Sequence, residues 1–137
     1  VNLNDGVGVA YVSQGLRGFF DRLTLLENFA DCGCDETTIR QYLGAALIRR
    51  EKSHQPLSNF SFGELMRAAI VKCILLKAEF LLLDEPTSHL DIESMEVLEN
   101  LLADFGGGFL MISHDRSFVA NVADRLYVIA EGRLTLA

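Results

Sequence analysis

Leu81-Leu82-Leu83-Asp84-Glu85-Pro86-Thr87-Ser88-His89-Leu90-Asp91 is an apolar run that ends in two adjacent carboxylates, a proline turn and a polar loop closed by a third carboxylate. The apolar residues from Phe80 to Leu83, bounded by a turn signal, predict a fully buried strand of a parallel sheet. Ligands of open α/β sheets sit beyond the carboxyl ends of such strands, which is where Asp84 and Glu85 fall. A strand-end aspartate beside a glutamate suits a magnesium–nucleotide site: Asp84 to hold the ion, partly through water, and Glu85 to take a proton from an attacking water. Adjacent carboxylates repel, so the one that no metal neutralises gains proton affinity, which favours Glu85 as the base. On its own the stretch also reads as a buried strand running into an acidic, helix-starting loop.

Three further elements narrow the choice. In Phe60-Ser61-Phe62-Gly63-Glu64-Leu65-Met66-Arg67, Ser61 and Glu64 have capping-box spacing and predict a helix running through Ala68, Ile70, Cys73 and Leu76. A helix start with a serine hydroxyl and a glycine for close approach suits phosphate contact; by itself the octapeptide also reads as a well-capped helix and nothing more. Phe109 to Ile112 predicts another buried strand, which delivers His114 to the same sheet edge as a donor for a terminal phosphate. Val9 to Val12 predicts a strand followed by Gln14, whose amide oxygen can meet a metal or water.

Between these elements the chain organises simply. Residues 1–14 read as the last piece of an N-terminal sheet region with Asp5-Gly6 as a turn, and residues 15–59 as helical, with Leu23, Leu25, Leu26 and Phe29 on one apolar face. Asp35 caps a predicted helix carrying Ile39, Leu43 and Leu47, and a charged loop from Arg49 to Pro56, read as a solvated face, precedes the Ser61 helix. Asp91 caps a helix through Leu98, Leu101 and Leu102, Gly106-Gly107-Gly108 is a loop ahead of a strand, and residues 125–136 form a hairpin turning at Glu131-Gly132. At 137 residues the chain is one domain or less, with the apolar share, 50%, of an ordinary globular α/β domain. A net charge of −7 argues against a primary nucleic-acid clamp. Cys32, Cys34 and Cys73 lack zinc spacing and read as free thiols in a reducing cytoplasm; no apolar run is long enough to cross a bilayer.

Order, spacing and chemistry together resemble the ATP-binding cassette superfamily over essentially the whole chain. The resemblance implies an α/β fold of the P-loop NTPase type, a parallel-sheet core from residues 1–14 and 60–137 with a helical subdomain at 15–59. It matches Gln14 to the glutamine loop, residues 60–64 to the signature usually written Leu-Ser-Gly-Gly-Glu, and Asp84 to the Walker B aspartate. Glu85 matches the catalytic glutamate, Ser88 to Asp91 the dimer-contact loop, and His114 the switch histidine. It implies ATP and Mg²⁺ as ligands: Gln14 and Asp84 toward the metal, Glu85 toward water, His114 toward the γ-phosphate. Ser61, Gly63, Glu64 and Asp91 would serve the nucleotide and surface of a second cassette, paired in tandem or as a dimer. Glu85 to Asp91 and Ser113-His114-Asp115-Arg116-Ser117-Phe118-Val119 look like the ABC-F family, cytoplasmic tandem-cassette ATPases that act on ribosomes in translation or antibiotic resistance. Residues 38–44 onward look more like its second cassette than its first.

Two departures shape the expectations. No G-x-x-x-x-G-K-[ST] occurs, Lys52-Ser53 being a decoy preceded by Glu51, so the chain reads as a piece of a cassette. Such a piece is expected to bind ATP weakly or not at all by itself and not to hydrolyse it, the chemistry belonging to the intact parent. Phe60 and Phe62 stand where the family writes leucine and glycine. Two rivals remain at this stage. An ATPase subunit of a membrane transporter is opposed by His89 and by Asp115-Arg116, and a non-catalytic pairing module by intact Asp84, Glu85 and His114. Neither ribosome contact, expected through parts outside this chain, nor membrane insertion is encoded directly here.

Overall fold

The computed structural model describes residues 2–4 and 7–137; the expected Asp5-Gly6 turn lies outside them. A four-stranded sheet runs in the order β1 (Asn2–Asn4), β2 (Val7–Val12), β3 (Phe80–Asp84), β4 (Gly108–Ile112). β1 is antiparallel to β2, whereas β2, β3 and β4 are parallel, with Val12 opposite Leu83 and Leu83 opposite Met111. The helices are α1 (Glu36–Ala45), α2 (Phe62–Leu75), α3 (Ile92–Ala103) and α4 (Arg116–Val122), and the hairpin β5 (Tyr127–Ala130) and β6 (Arg133–Leu136) closes the order. Its turn residues Glu131 and Gly132 both have positive φ, as a two-residue hairpin requires.

β3 is central but not fully buried as predicted: Leu81 and Leu83 are enclosed while Phe80, Leu82 and Asp84 are half-buried. Alternation sends Ala10, Val12, Leu81 and Leu83 to one face, against Met66, Ala69, Ile70 and Cys73 of α2 and Leu98 and Leu102 of α3. On the opposite face Tyr11, Leu110 and Ile112 are exposed, and β4 is a half-open edge strand rather than a buried one.

A second apolar cluster gathers Leu25, Phe29, Ile39, Leu43 and Ile48 around Ala68, Val71 and Leu75 of α2. α2 thus lies between two clusters and is buried almost all round, from Met66 to Cys73 without a break. Both its capping box and the Asp35 and Asp91 caps form as the sequence predicts.

Residues 15–59 are less regularly helical than their pattern predicts. Only α1 is an α-helix; Leu26–Cys32, Arg50–Lys52 and Leu57–Asn59 are 3-10 segments. The buried Asn28 side chain accepts from the Asp21 and Arg22 N–H groups, both at 2.9 Å, and donates to the Arg22 and Thr24 carbonyls. Leu25 and Leu26 N–H donate to the carbonyls of Gln55 and Ser53. With those backbone groups spent elsewhere no regular helix forms there, and Leu23 is exposed instead of joining the apolar face. Leu47 is exposed too. It sits past the end of α1 at φ 56°, where Ile48 N–H donates to the Leu43 carbonyl and Leu47 N–H to that of Gly44, closing the helix.

Burial pushes the Cys73 thiol up to about 12 and the Cys32 thiol up to about 11, so neither is a ready nucleophile. All three cysteines are free.

Candidate active site

The parallel strands β2, β3 and β4 end together, and four of the sequence-selected residues meet at that edge. Asp84 is the last residue of β3; its Oδ2 accepts a hydrogen bond from Tyr11 Oη at 3.1 Å across the β2–β3 pair. This bond to a carboxylate pushes the Tyr11 phenol up from its ordinary value. Gln14, just beyond β2, donates from Nε2 to Ser88 Oγ at 3.5 Å. That orientation assigns the amide nitrogen to Ser88 and leaves the amide oxygen as a free-standing acceptor.

Glu85 breaks out of the strand at φ 50° while its N–H still donates to the Ile112 carbonyl at 2.9 Å. A left-handed conformation at a non-glycine residue costs about 1–3 kcal/mol and survives only where its surroundings fix it. Here the fixing groups are the Ile112 bond, the buried Pro86, and Thr87 Oγ1, which lies 3.2 Å from Ser113 Oγ in the loop after β4. Ser113 Oγ also accepts from Asp115 N–H at 3.1 Å, and Asp115 caps α4. The two loops are therefore tied to each other, and His114 rides between them with its side chain largely in solvent.

His114 Nδ1 stands 2.8 Å from Glu85 Oε2. Oε2 is buried, with the imidazole as its close neighbour. The Glu85 carboxylate beside it raises the His114 pKa above the usual imidazole value. A carboxylate at the end of a parallel strand is equipped to accept a proton.

Ser61, Gly63, Glu64 and Asp91 form a second group at the N-termini of α2 and α3. Ser61 Oγ accepts from Glu64 N–H at 3.2 Å, and Glu64 Oε2 accepts from Ser61 N–H at 2.8 Å. The exposed Ser61 hydroxyl keeps its own proton to donate outward. Glu64 is also held by Lys52, whose Nζ lies 2.7 Å from Oε1 and 2.9 Å from Oε2 and sits over the Phe60 ring. Partial burial works to raise the Glu64 pKa, but the donors Lys52 and Ser61 outweigh it and hold the carboxyl low. Asp91 accepts from Ser94 N–H at 2.8 Å, which, with the Arg67 charge, lowers its pKa. Gly63 is buried: a Cβ there would stand 2.6 Å from Ser94 Oγ, so its missing side chain serves the close approach of α3 to α2. Its N–H remains in the helix's first turn, where donors have no intrahelical partner.

Three residues of this region were not singled out by the sequence. Tyr11 carried no signal beyond its strand. Lys52, read as part of a solvated charge run, reaches Glu64 twelve residues on, a distance no local pattern encodes. Arg67, buried in α2, donates from a terminal guanidinium nitrogen to Ser94 Oγ at 2.8 Å; a charged residue inside an apolar run was the available clue.

For Mg²⁺ the donors present are of the right kind, hard oxygens of Asp84 and Gln14. Among the described residues no group of three or more His, Cys, Asp or Glu side chains can hold a metal alone. An ion here would have to complete its shell with phosphate oxygens and water, which is the usual habit of Mg²⁺ in nucleotide sites.

A model of the ABC transporter family matches residues 4–88, more than half of the chain. The chain is 37% identical over 136 residues to the ATP-binding protein YdiF of Bacillus subtilis, covering 98% of this chain and 21% of that protein. It is 44% identical over 86 residues to the energy-dependent translational throttle protein EttA of Mycobacterium tuberculosis, covering 63% and 15%. Identity to the ABC transporter F family member 3 of Arabidopsis thaliana is 36% over 102 residues, covering 74% and 14%. The chain thus spans about a fifth or less of the length of these relatives. In fold it is similar to a dimeric ATP-binding cassette in a post-hydrolysis state bound to ADP and Pi, with TM-score 0.72 at 20% identity, over 98% of this chain and 68% of that one. The family match covers more than half of the chain and the fold agrees with it, and the chain belongs to the ABC transporter family, with the α/β fold of an ATP-binding cassette.

Proposed function

We propose that this chain is part of the ATP-hydrolysing cassette of a longer ABC-F type protein that works on ribosomes in the cytoplasm. The observation that carries the catalytic half is the meeting of Gln14, Asp84, Glu85 and His114 at one sheet edge. In this reading Asp84 and Gln14 hold the metal side of the nucleotide, and bound Mg²⁺ supplies neutralisation of phosphate charge. Glu85, its carboxylate held beside His114, takes the proton of the attacking water. His114, whose hold on its proton Glu85 strengthens, donates toward the terminal phosphate. Ser61, with its outward hydroxyl proton, and the first-turn N–H of Gly63 serve the nucleotide of a second cassette, Glu64 fixes Ser61, and Asp91 fixes the loop that meets that cassette.

The two apolar clusters support a division into a core portion, residues 1–14 and 60–137, and a helical subdomain, residues 15–59, with α2 as their shared wall. The phosphate-cradling loop absent from these residues would come from elsewhere in the longer protein, so the present chain alone is expected to be inactive. The ribosomal half rests on the likeness to the translational throttle protein. Among the described residues no helix is long and apolar enough to cross a membrane.

The test is co-sedimentation of the full-length protein carrying Glu85→Gln with ribosomes. ATP-dependent trapping is the expected result. Recovery with membranes and no ribosome association would instead favour the ATPase subunit of a transporter.

A further inference from the structure

The segment that starts α2 is joined to the loop that precedes α3 and to the first turn of α3 by three separate contacts. The Phe62 and His89 rings meet edge to face with centroids 6.4 Å apart. Gly63 lies directly against Ser94 and Leu90. Arg67, 5% exposed, donates to Ser94 Oγ, and Ser94 is itself 5% exposed. Its Nε is buried without a partner, and its charge reaches Asp91 only from beyond ion-pair distance, helping to hold that carboxyl low. A buried cation on one neutral hydroxyl is a poor means of stabilising a fold, because an apolar side chain of similar size would do as well or better. What it does provide is a directed link between two elements. Phe62 and His89 fit the same account. Phe62 is a bulky residue where the resemblance leads one to expect glycine, and the structure puts it against His89. His89 is held at φ 63°, so the contact also fixes a residue outside its preferred backbone region.

We propose that Arg67 is a positioning residue that, with the Phe62–His89 contact, locks the first two turns of α2 to the Thr87–Asp91 loop and the first turn of α3 so that they move as one piece. The inference deepens the proposed function and rests on it in one respect, that both segments face a second cassette. Phe62 then serves its own chain's loop instead of reaching across, and a cassette presents Ser61 and the Ser88–Asp91 loop as a preassembled rim.

The test is hydrogen exchange by mass spectrometry on the full-length protein without nucleotide, comparing wild type with Arg67→Met combined with Ser94→Ala. Removing both partners together leaves no orphaned hydroxyl, so the melting temperature is expected to stay close to that of the wild type. Exchange is expected to rise about tenfold in residues 61–67 and in 87–95 together, the rest of the chain being unchanged. A rise confined to one segment, or no rise in either, overturns the lock. Should the double variant not fold, Phe62→Gly is read the same way, with the same joint rise expected. Because no nucleotide is present, this readout is independent of cassette pairing. ATP-driven pairing of the Glu85→Gln protein is then measured by sedimentation with and without the lock. Several-fold weaker pairing on unlocking supports the role, and equal pairing overturns it. If the locked Glu85→Gln protein fails to pair at all, the proposed function fails and the lock is judged on exchange alone.

Discussion

Tyr11 Oη donates to Asp84 Oδ2 at 3.1 Å, linking the penultimate residue of one strand to the last residue of its parallel neighbour. The bond occupies one carboxylate oxygen of Asp84 and fixes the plane of the group, leaving the other oxygen for a metal or water. Since the carboxylate holds the phenolic proton, Tyr11 titrates above the ordinary 10.0 of a phenol. Asp84→Asn removes both the charge and the strong acceptor, so the Tyr11 phenol is expected to fall back toward that value. Ultraviolet difference titration against a Tyr11→Phe control reads this directly; an unmoved titration would mean the pair does not form.

His114 carries a signed pH prediction. Its folded pKa is raised by Glu85, so the charged contact is complete below the ordinary imidazole value of 6.5 and is lost as pH rises through the folded value. NMR titration of the His114 ring should place its midpoint above 6.5, and Glu85→Gln should lower it. The ring is solvent-exposed, and the expected effect is on its charge rather than on fold stability.

Ser61 has two separable duties. Ser61→Ala removes the cap and is expected to cost about 1 kcal/mol of stability, measured by denaturant unfolding. Ser61→Asp keeps an oxygen for the Glu64 N–H and should nearly restore stability. It also places a carboxylate where the proposed function puts a phosphate, so ATP-driven pairing should be lost with the fold intact. Pairing equal to wild type in Ser61→Asp would leave Ser61 as a cap alone.

Lys52→Met tests the part of the signature region that local sequence did not reveal. It deprives the depressed Glu64 carboxyl of its strongest favourable partner, so the Glu64 pKa should rise. The stability that Glu64 contributes is present above its unfolded pKa and is lost as pH falls through the lower folded value; the variant should begin to lose it at a higher pH than wild type. Acid unfolding curves that superimpose would show that Lys52 does not govern Glu64.

What could be read from the residues follows from which interactions are local. Caps at Asp35, Ser61 and Asp91 are three-residue events, and each forms. The strands at 9–12, 80–83 and 109–112 announce themselves by apolar runs, and all three lie side by side in one sheet. Their degree of burial was overstated because an apolar run does not say how many faces are covered; here α2 and α3 cover one. Residues 22–28 failed as a helix for a reason that no periodicity holds, the buried Asn28 amide spending their backbone groups. In the candidate site, Gln14, Asp84, Glu85 and His114 could be selected because each ends a strand or follows its end within two residues. Tyr11, Lys52 and Arg67 were not, since each acts through a partner 73, 12 or 27 residues away.

The account stands most directly on Glu85 as the group that takes the proton from water. Single-turnover ATP cleavage by the full-length protein, with ATP binding measured separately, isolates that step. Glu85→Gln is predicted to bind ATP as wild type does and to cleave it about 10²–10⁴-fold more slowly, the usual worth of a general base. Cleavage at the wild-type rate, with binding intact, would contradict the assignment.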